Sequence, residues 1–216
     1  MKFFRLIAAL IMTSAIPAHA ANTWAIVVHG GAGVIEREDL SPEQETAYRA
    51  AMNRAIQAGG AVLSKGGSAL DAIEATIQLM EDDPLFNAGR GAVFTAEGRN
   101  ELDAAIMDGK TLAAGSVAGV TRTRHPISLA RRVMEESPHV MLIAAGADRF
   151  SKEQGLEQVE PGWFYTERRW RALETFLKEK ACRFRRSRRV QMTAAPRRTW
   201  RTTKARRAPS ASQRST

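Results

Sequence analysis

Residues that could do chemistry are concentrated in two segments of the chain, and the first is a glycine-rich turn. His29-Gly30-Gly31-Ala32-Gly33 follows the apolar run at residues 24–28, so its backbone N–H groups could line a site at the end of a strand. The glycine spacing matches neither the dinucleotide-binding fingerprint nor the P-loop, so it does not indicate a phosphate site. Taken alone, the segment is better interpreted as a turn that needs positive φ, with His29 as a hydrogen-bonded structural histidine.

The second segment is the acidic turn at residues 81–91, with the sequence Glu-Asp-Asp-Pro-Leu-Phe-Asn-Ala-Gly-Arg-Gly. Its three acids would lie at the C-terminal end of a helix, where negative charge opposes the macrodipole and needs compensation. A turn that directs backbone carbonyl oxygens inward could hold a hard cation such as Na⁺ or Ca²⁺. The alternative is a solvated acidic turn before Pro84. No histidine or cysteine cluster has the ligand spacing of a zinc site.

Two helices precede the acidic turn and would position it. A capping box at residues 41–44 begins the first helix, and Lys65-Gly66-Gly67 ends it. Small residues recur along the first helix at helical spacing, which predicts close packing against a neighbouring layer. Ser68 and Asp71 begin the second helix, and its apolar face consists of Leu70, Ile73, Ile77 and Met80.

Beyond the acidic turn, extended segments alternate with helices. The pattern predicts extended segments at residues 91–95, 101–107, 113–120 and 140–145, and helices at residues 126–136 and 164–180. Residues 24–28 have the pattern of a further, buried strand. Strands interleaved with helices predict a layered α/β domain rather than a helical bundle.

Charge and hydropathy set the two ends of the chain apart from its middle. Lys2 and Arg5 precede a short apolar stretch and then Ala18-His19-Ala20, so we expect residues 1–20 to be a signal peptide for export to the periplasm or beyond. The whole chain holds 32 basic and 23 acidic side chains, yet residues 181–216 carry eleven Arg, one Lys and no acid. The first 180 residues are therefore mildly acidic. A single cysteine permits no internal disulfide.

A series of motifs gives the chain a family resemblance. Together they resemble the plant-type asparaginase/isoaspartyl peptidases. In chain order they are His-Gly-Gly-Ala-Gly at 29–33, Pro-Leu-Phe-Asn-Ala-Gly-Arg-Gly-Ala-Val-Phe at 84–94, Glu-Leu-Asp-Ala at 101–104, Met-Asp-Gly at 107–109, Gly-Ser-Val-Ala-Gly-Val at 115–120 and Glu-Ser-Pro-His-Val-Met at 136–141. The resemblance implies an N-terminal nucleophile hydrolase, an αββα sandwich that cleaves itself to expose a threonine. That threonine would attack the side-chain amide of asparagine or the β-peptide bond of isoaspartyl dipeptides, with its own α-amine as the base.

The resemblance also implies roles for residues in both segments. Asn87 would lie beside the nucleophile and orient or stabilise it, and the Gly30-Gly31 turn would pack nearby. The loop from Met80 to Arg90 would be the family's structural Na⁺ loop. Its ligands would be the backbone carbonyl oxygens of Met80, Glu81, Asp83, Phe86, Ala88 and Arg90. No other cofactor is implied, and complete family members form (αβ)₂ assemblies.

The family's nucleophile segment, Gly-Thr-Val-Gly, has no counterpart among the 216 residues. The resemblance therefore implies that residues 21–180 are the α half of an incomplete αββα sandwich and that this chain alone is inactive. Residues 181–216 would form a disordered basic tail. A one-base shift of a GC-rich DNA sequence encoding Gly-Thr-Val-Gly-Val-Ala-Ala-Leu-Asp yields residues 208–216, which suggests the hypothesis of a frameshift near Lys180.

Two functions follow from these patterns. The first is hydrolysis of asparagine and β-aspartyl dipeptides by a complete enzyme that contains this half. The alternative is a non-catalytic exported protein whose basic tail binds anionic surfaces or nucleic acid. Because export removes the chain from most nucleic acid, we expect no specific nucleic-acid partner. No segment after the predicted signal peptide has the pattern of a membrane anchor, so we expect no membrane partner.

Overall fold

The computed structural model describes residues 23–31 and 40–193. The predicted signal peptide at residues 1–20, and residues 194–216 of the predicted basic tail, lie outside the described residues. The chain divides into two compact units, with the boundary after Trp170. No helix in the described part of the chain is long and apolar enough to cross a membrane.

Local signals begin the first two helices where the sequence predicts. In the capping box before α1 (Pro42–Ser64), Ser41 Oγ accepts a hydrogen bond of 3.2 Å from Gln44 N, and Gln44 Oε1 accepts one of 3.0 Å from Ser41 N. Such a box satisfies two backbone N–H groups that have no partner within the helix. An equivalent box at Ser68 begins α2 (Ala69–Asp82). Both predicted helix starts are confirmed.

Small residues allow α1 and α2 to approach each other closely. Ala51 and Ala55 of α1 are buried. A Cβ atom on Gly59 would lie 2.5 Å from Ile26 Cδ1 and closer still to Thr76 Oγ1, so a side chain at this position has no space. The prediction of close packing along this stripe is therefore confirmed.

In the part of the chain that the structure describes, the sheet has three strands in the order β1-β2-β3. β1 (Leu102–Met107) is antiparallel to β2 (Ala114–Val120), and β3 (Met141–Ile143) is parallel to β2. Helix α3 (Pro126–Glu136) packs on one face. The core there consists of Ala92, Leu102, Ile106, Val117, Val120, Ile127, Leu129, Ala130, Val133, Ala147 and Phe164. Met107, Met141 and Ile143 are exposed, because strand side chains alternate between faces.

The C-terminal helices differ from the prediction. Ala144 has a φ of 47°, which turns the chain out of β3 into α4 (Ala144–Glu153), so the extended segment predicted at 140–145 is shorter. A 3₁₀ turn at Pro161–Phe164 precedes α5 (Glu167–Thr193). The helix continues past residue 180 and includes residues 181–193, the first part of the predicted tail. The sequence there has no Gly or Pro and is rich in arginine, a good helix former.

Two segments predicted as extended form no strand in the described part of the chain. Val27 is 94% exposed, so the prediction of a buried strand at residues 24–28 is wrong. No described strand lies alongside it to complete its hydrogen bonds. The segment at 91–95 contains only an isolated bridge, from Phe94 to Asn100. The described residues thus form an α/β layer with one sheet, which fits the α/β part of the predicted fold class.

Candidate functional site

The acidic end of α2 is paired with cationic side chains. Arg124 Nε and Nη2 donate to the two carboxylate oxygens of Asp82 at 3.0 and 3.1 Å. Arg124 Nη1 donates to Glu157 at 2.9 Å, and Arg54 Nη2 donates to Asp83 at 3.0 Å. These contacts supply the compensation that Asp82 and Asp83 require at a helix C-terminus. The turn is therefore not simply a solvated acidic segment.

Glu81 is the one acid of this group that the fold buries. Its Oε1 accepts a hydrogen bond of 2.9 Å from Ile127 N, while Oε2 is buried and has no hydrogen-bond partner among the described residues. Burial raises the pKa of Glu81 well above its usual range, and the neighbouring Asp82 and Glu74 carboxylates raise it further. The Ile127 hydrogen bond lowers that pKa, but burial has the larger effect.

Glycines let the backbone of the acidic turn fold back on itself. Gly89 has a φ of 49°, and a Cβ atom there would collide with the carbonyl oxygen of Glu81. A Cβ atom on Gly91 would collide with the carbonyl oxygen of Phe86 and lie 2.8 Å from that of Pro84. Carbonyl oxygens therefore crowd the space that side chains would otherwise fill.

The carbonyl groups predicted to bind Na⁺ lie along this turn. Those of Met80, Asp83 and Ala88 each accept a backbone hydrogen bond of 3.2–3.3 Å within it. A carbonyl oxygen has two lone pairs, so these bonds leave one available on each. Among the described residues no group of three or more His, Cys, Asp or Glu side chains could hold a metal ion. A cation at this turn would therefore take backbone oxygens.

The glycine-rich turn and the acidic turn meet in space. Asn87 is exposed, and its Oδ1 lies 3.9 Å from the position that a Cβ atom on Gly31 would occupy. Gly31 has a φ of 128° and donates from its N–H to His29 Nδ1 at 3.2 Å, so the histidine holds the turn. A Cβ atom on Gly30 would lie 3.8 Å from Cε1 of the Phe86 ring. The structure thus brings Gly30, Gly31 and Asn87 together, although they are far apart in sequence.

Sequence reasoning missed the cationic groups that surround this turn. Arg168 and Arg169, at the start of α5, donate to backbone carbonyl groups of residues 84, 85 and 91. The guanidinium groups of Arg90 and Arg124 lie 5.3 and 4.9 Å from the centre of the Trp163 ring. The sequence predicts a helix at residues 164–180, but a helical pattern does not say which of its charged side chains turn inward.

Comparison with known proteins places the chain in a family. The asparaginase family model matches residues 22–206, a range that continues past residue 180. The chain is 48% identical over 152 residues to the isoaspartyl peptidase of Salmonella typhimurium, which covers 70% of this chain and 49% of that protein. It is 48% identical over 156 residues to the isoaspartyl peptidase of Escherichia coli, covering 72% of this chain and 49% of that one.

A third relative has a different name from the first two. The chain is 46% identical over 150 residues to the plant-type L-asparaginase of Pyrococcus abyssi, covering 69% of this chain and 48% of that protein. The chain spans about half the length of the curated relatives it matches. The resemblance drawn from the motifs is confirmed, and the chain belongs to the asparaginase family.

Proposed function

We propose that this chain forms part of a hydrolase that cleaves the side-chain amide of asparagine or the β-peptide bond of isoaspartyl dipeptides. The observation that carries the proposal is the meeting of Asn87 with the Gly30-Gly31 turn. These residues come from two separate family motifs, and folding brings them to one place. The names of the relatives, isoaspartyl peptidase and plant-type L-asparaginase, support the substrate class.

In the proposed reaction an N-terminal threonine attacks the amide carbonyl, and its α-amine takes the proton and passes it to the leaving amine. Water then hydrolyses the resulting ester. The amide of Asn87 offers two N–H donors and one acceptor, which suits it to orient the nucleophile or to stabilise developing negative charge. Because the 216 residues contain no Gly-Thr-Val-Gly segment, the proposal includes inactivity of this chain alone.

A structural Na⁺ ion at the acidic turn is part of the same proposal. The donors would be the backbone carbonyl groups of Met80, Glu81, Asp83, Phe86, Ala88 and Arg90. Hard cations take oxygen ligands of this kind. The carbonyl oxygens of Glu81 and Phe86 lie against Gly89 and Gly91, where the lack of a side chain leaves room for an ion to reach them, and this supports the proposal. The ion would hold the turn that carries Asn87 and would take no part in the chemistry.

A complementary half of the domain is the proposed partner. Met107, Met141 and Ile143 leave an apolar face on the sheet, and a sheet in a layered domain needs cover on both faces. The relatives are about twice as long as the matched region, so they contain enough additional chain to supply that cover. Assembly into an (αβ)₂ form would follow once the second half is present.

The test is ammonia release from asparagine and hydrolysis of β-aspartyl dipeptides. We expect no turnover by the 216-residue chain and measurable turnover by a chimera of residues 21–180 with the C-terminal half of the Escherichia coli isoaspartyl peptidase. In the chimera, Asn87→Ala should lower kcat by about 10²–10³-fold, the usual effect of removing a group that stabilises a transition state. Asn53→Ala, at an exposed position on α1, is the control.

Two results would contradict the proposal. One is ammonia release by the 216-residue chain at the rate of the chimera, because that activity would need a nucleophile other than the one proposed. The other is a chimera that folds and cleaves itself but hydrolyses neither substrate.

A further inference from the structure

Two adjacent arginines at the start of α5 bind the backbone at both ends of the loop formed by residues 84–91. Arg168 Nη2 donates to the carbonyl oxygens of Pro84 and Leu85 at 2.8 and 3.0 Å. Arg169 Nε donates to the carbonyl oxygen of Gly91 at 2.8 Å. Asn87 lies between these anchor points, so both ends of its loop are attached to one rigid element.

Arg168 also connects the loop to helix α1. Its Nη1 donates to Tyr48 Oη at 3.1 Å, and Tyr48 Oη donates in turn to the carbonyl oxygen of Leu85 at 3.2 Å. Arg168, Tyr48 and Leu85 therefore form a closed set of hydrogen bonds. An arginine suits such a junction because its planar guanidinium group holds several donors in fixed directions.

The charge of these arginines has an unusual environment. Every hydrogen bond that their guanidinium groups make in the described part of the chain goes to a neutral oxygen. Partial burial lowers the pKa of Arg169, and the positive charge of Arg168 beside it lowers it further. Two adjacent cations repel each other, and among the described residues the carbonyl groups of the loop and the Tyr48 hydroxyl supply the compensating interaction.

The arginines and the proposed Na⁺ ion use different carbonyl groups. The arginines take those of Pro84, Leu85 and Gly91, and none of these belongs to the proposed ion-binding set. The two kinds of cation therefore do not compete for oxygens. From this we infer that Arg168 and Arg169 are positioning residues that clamp the loop and fix Asn87 against the Gly30-Gly31 turn. The catalytic part of this inference depends on the proposed role of Asn87.

Amide hydrogen exchange of the full 216-residue chain tests the clamp without any need for activity. The reporters are three hydrogen-bonded amides in or directly after the loop, those of Phe86, Gly91 and Ala92. In the double variant Arg168→Gln/Arg169→Gln we expect these amides to exchange about tenfold faster, because local opening becomes easier. The amides of β1 and β2 should keep their protection. Arg132→Gln, at an exposed arginine on α3, is the control and should change none of them.

Lysine variants separate a clamp from a mere requirement for positive charge. Arg169 makes one hydrogen bond to the loop, so Arg169→Lys should recover most of the protection. Arg168 serves three acceptors, and a single ammonium group cannot reproduce that fork, so Arg168→Lys should recover much less. Equal recovery by both lysine variants would contradict the clamp. So would unchanged exchange of the three loop amides in the double glutamine variant, or an equal loss of protection throughout the sheet.

Kinetics of the chimera supply the second measurement. Arg168→Gln should lower kcat while KM changes little, because the substrate still binds but Asn87 is less well fixed. An effect on KM alone would contradict the positioning role. If the chimera folds and cleaves itself but is inactive, the proposed function fails, while the exchange measurement still decides whether the clamp exists.

Discussion

Glu81 Oε1 accepts a hydrogen bond of 2.9 Å from the backbone N–H of Ile127. Ile127 lies in the first turn of α3. His125 occupies the N-cap position of this helix, but its side chain makes no capping hydrogen bond. The carboxyl group of Glu81 therefore serves as a cap that is provided by a distant helix. It links the end of α2, where the Asn87 loop begins, to the helix that covers the sheet.

Replacing Glu81 with glutamine should change how the free energy of unfolding depends on pH. Burial raises the pKa of Glu81 above its usual value of 4.5. At pH values between 4.5 and the raised pKa, the folded state keeps a proton that the unfolded state has released. The stability of the wild type therefore falls as pH rises through this interval, and Glu81→Gln should lack that decline. Urea unfolding of both proteins over a pH series measures the difference, and parallel curves would contradict the prediction.

The two neighbouring glycines of α1 should differ sharply in their tolerance of a methyl group. A Cβ atom on Gly59 would meet Thr76, Ile26 at 2.5 Å and the carbonyl oxygen of Ala72 at 3.0 Å, whereas one on Gly60 would meet only the Trp24 ring, at 3.4 Å. Gly59→Ala should therefore destabilise the fold by about 1–3 kcal/mol through overpacking.

Gly60→Ala is the matched control for this experiment, because both positions lie within the helix and gain the same helix propensity. It should be neutral or stabilising by up to about 1 kcal/mol. Urea denaturation midpoints compare the two variants. Equal midpoints would contradict the close approach of α1 and α2 at Gly59.

Two arginines close together in sequence should contribute differently to stability. Arg124 holds Asp82 through two hydrogen bonds and is 28% exposed, whereas Arg122 pairs with Glu160, which is 86% exposed. Arg124→Gln should therefore cost about 1.5–3 kcal/mol, the range for hydrogen bonds to charged groups. Arg122→Gln should cost less than about 1 kcal/mol. Thermal unfolding of both variants at low and high salt measures this, and a larger effect at Arg122 would contradict it.

The features that the sequence predicts correctly are those that short-range chemistry determines. The capping boxes at Ser41 and Ser68 depend on residues three positions apart, so they can be seen without knowledge of the fold. The small-residue stripe of α1 is equally local. The motifs around Gly31 and Asn87 indicated a shared site only through the family resemblance, because spacing alone does not bring two turns together.

The features that the sequence does not predict depend on tertiary contacts. Helix α4 was missed because residues 140–145 are uniformly apolar, and the positive φ at Ala144 that ends the strand is unexpected for alanine. Arg168 and Arg169 belong to a helix with many charged residues, and only the position of the loop decides which of them turn toward it. The partner of Glu81 likewise lies on another helix.

The acidic turn should bind Na⁺ in preference to cations that backbone carbonyl groups cannot enclose. A ligand that binds only the folded state stabilises it by RT ln(1 + [L]/Kd), which is about 2.7 kcal/mol at one hundred times Kd. The thermal midpoint of the 216-residue chain should therefore be higher in NaCl than in tetramethylammonium chloride at equal ionic strength. Equal midpoints in the two salts would contradict a site at this turn.

Substitutions of two glycines localise the effect to the turn. In Gly89→Ala the new Cβ atom would displace the carbonyl group of Glu81, so the midpoint should lose its dependence on Na⁺. Gly155→Ala is the matched control, since Gly155 also has positive φ, at 69°, but has open space around it. Both variants should lose about 1–2 kcal/mol to backbone strain. Only Gly155→Ala should keep the Na⁺ dependence of the midpoint, because a methyl group at residue 155 does not displace the carbonyl groups of the acidic turn.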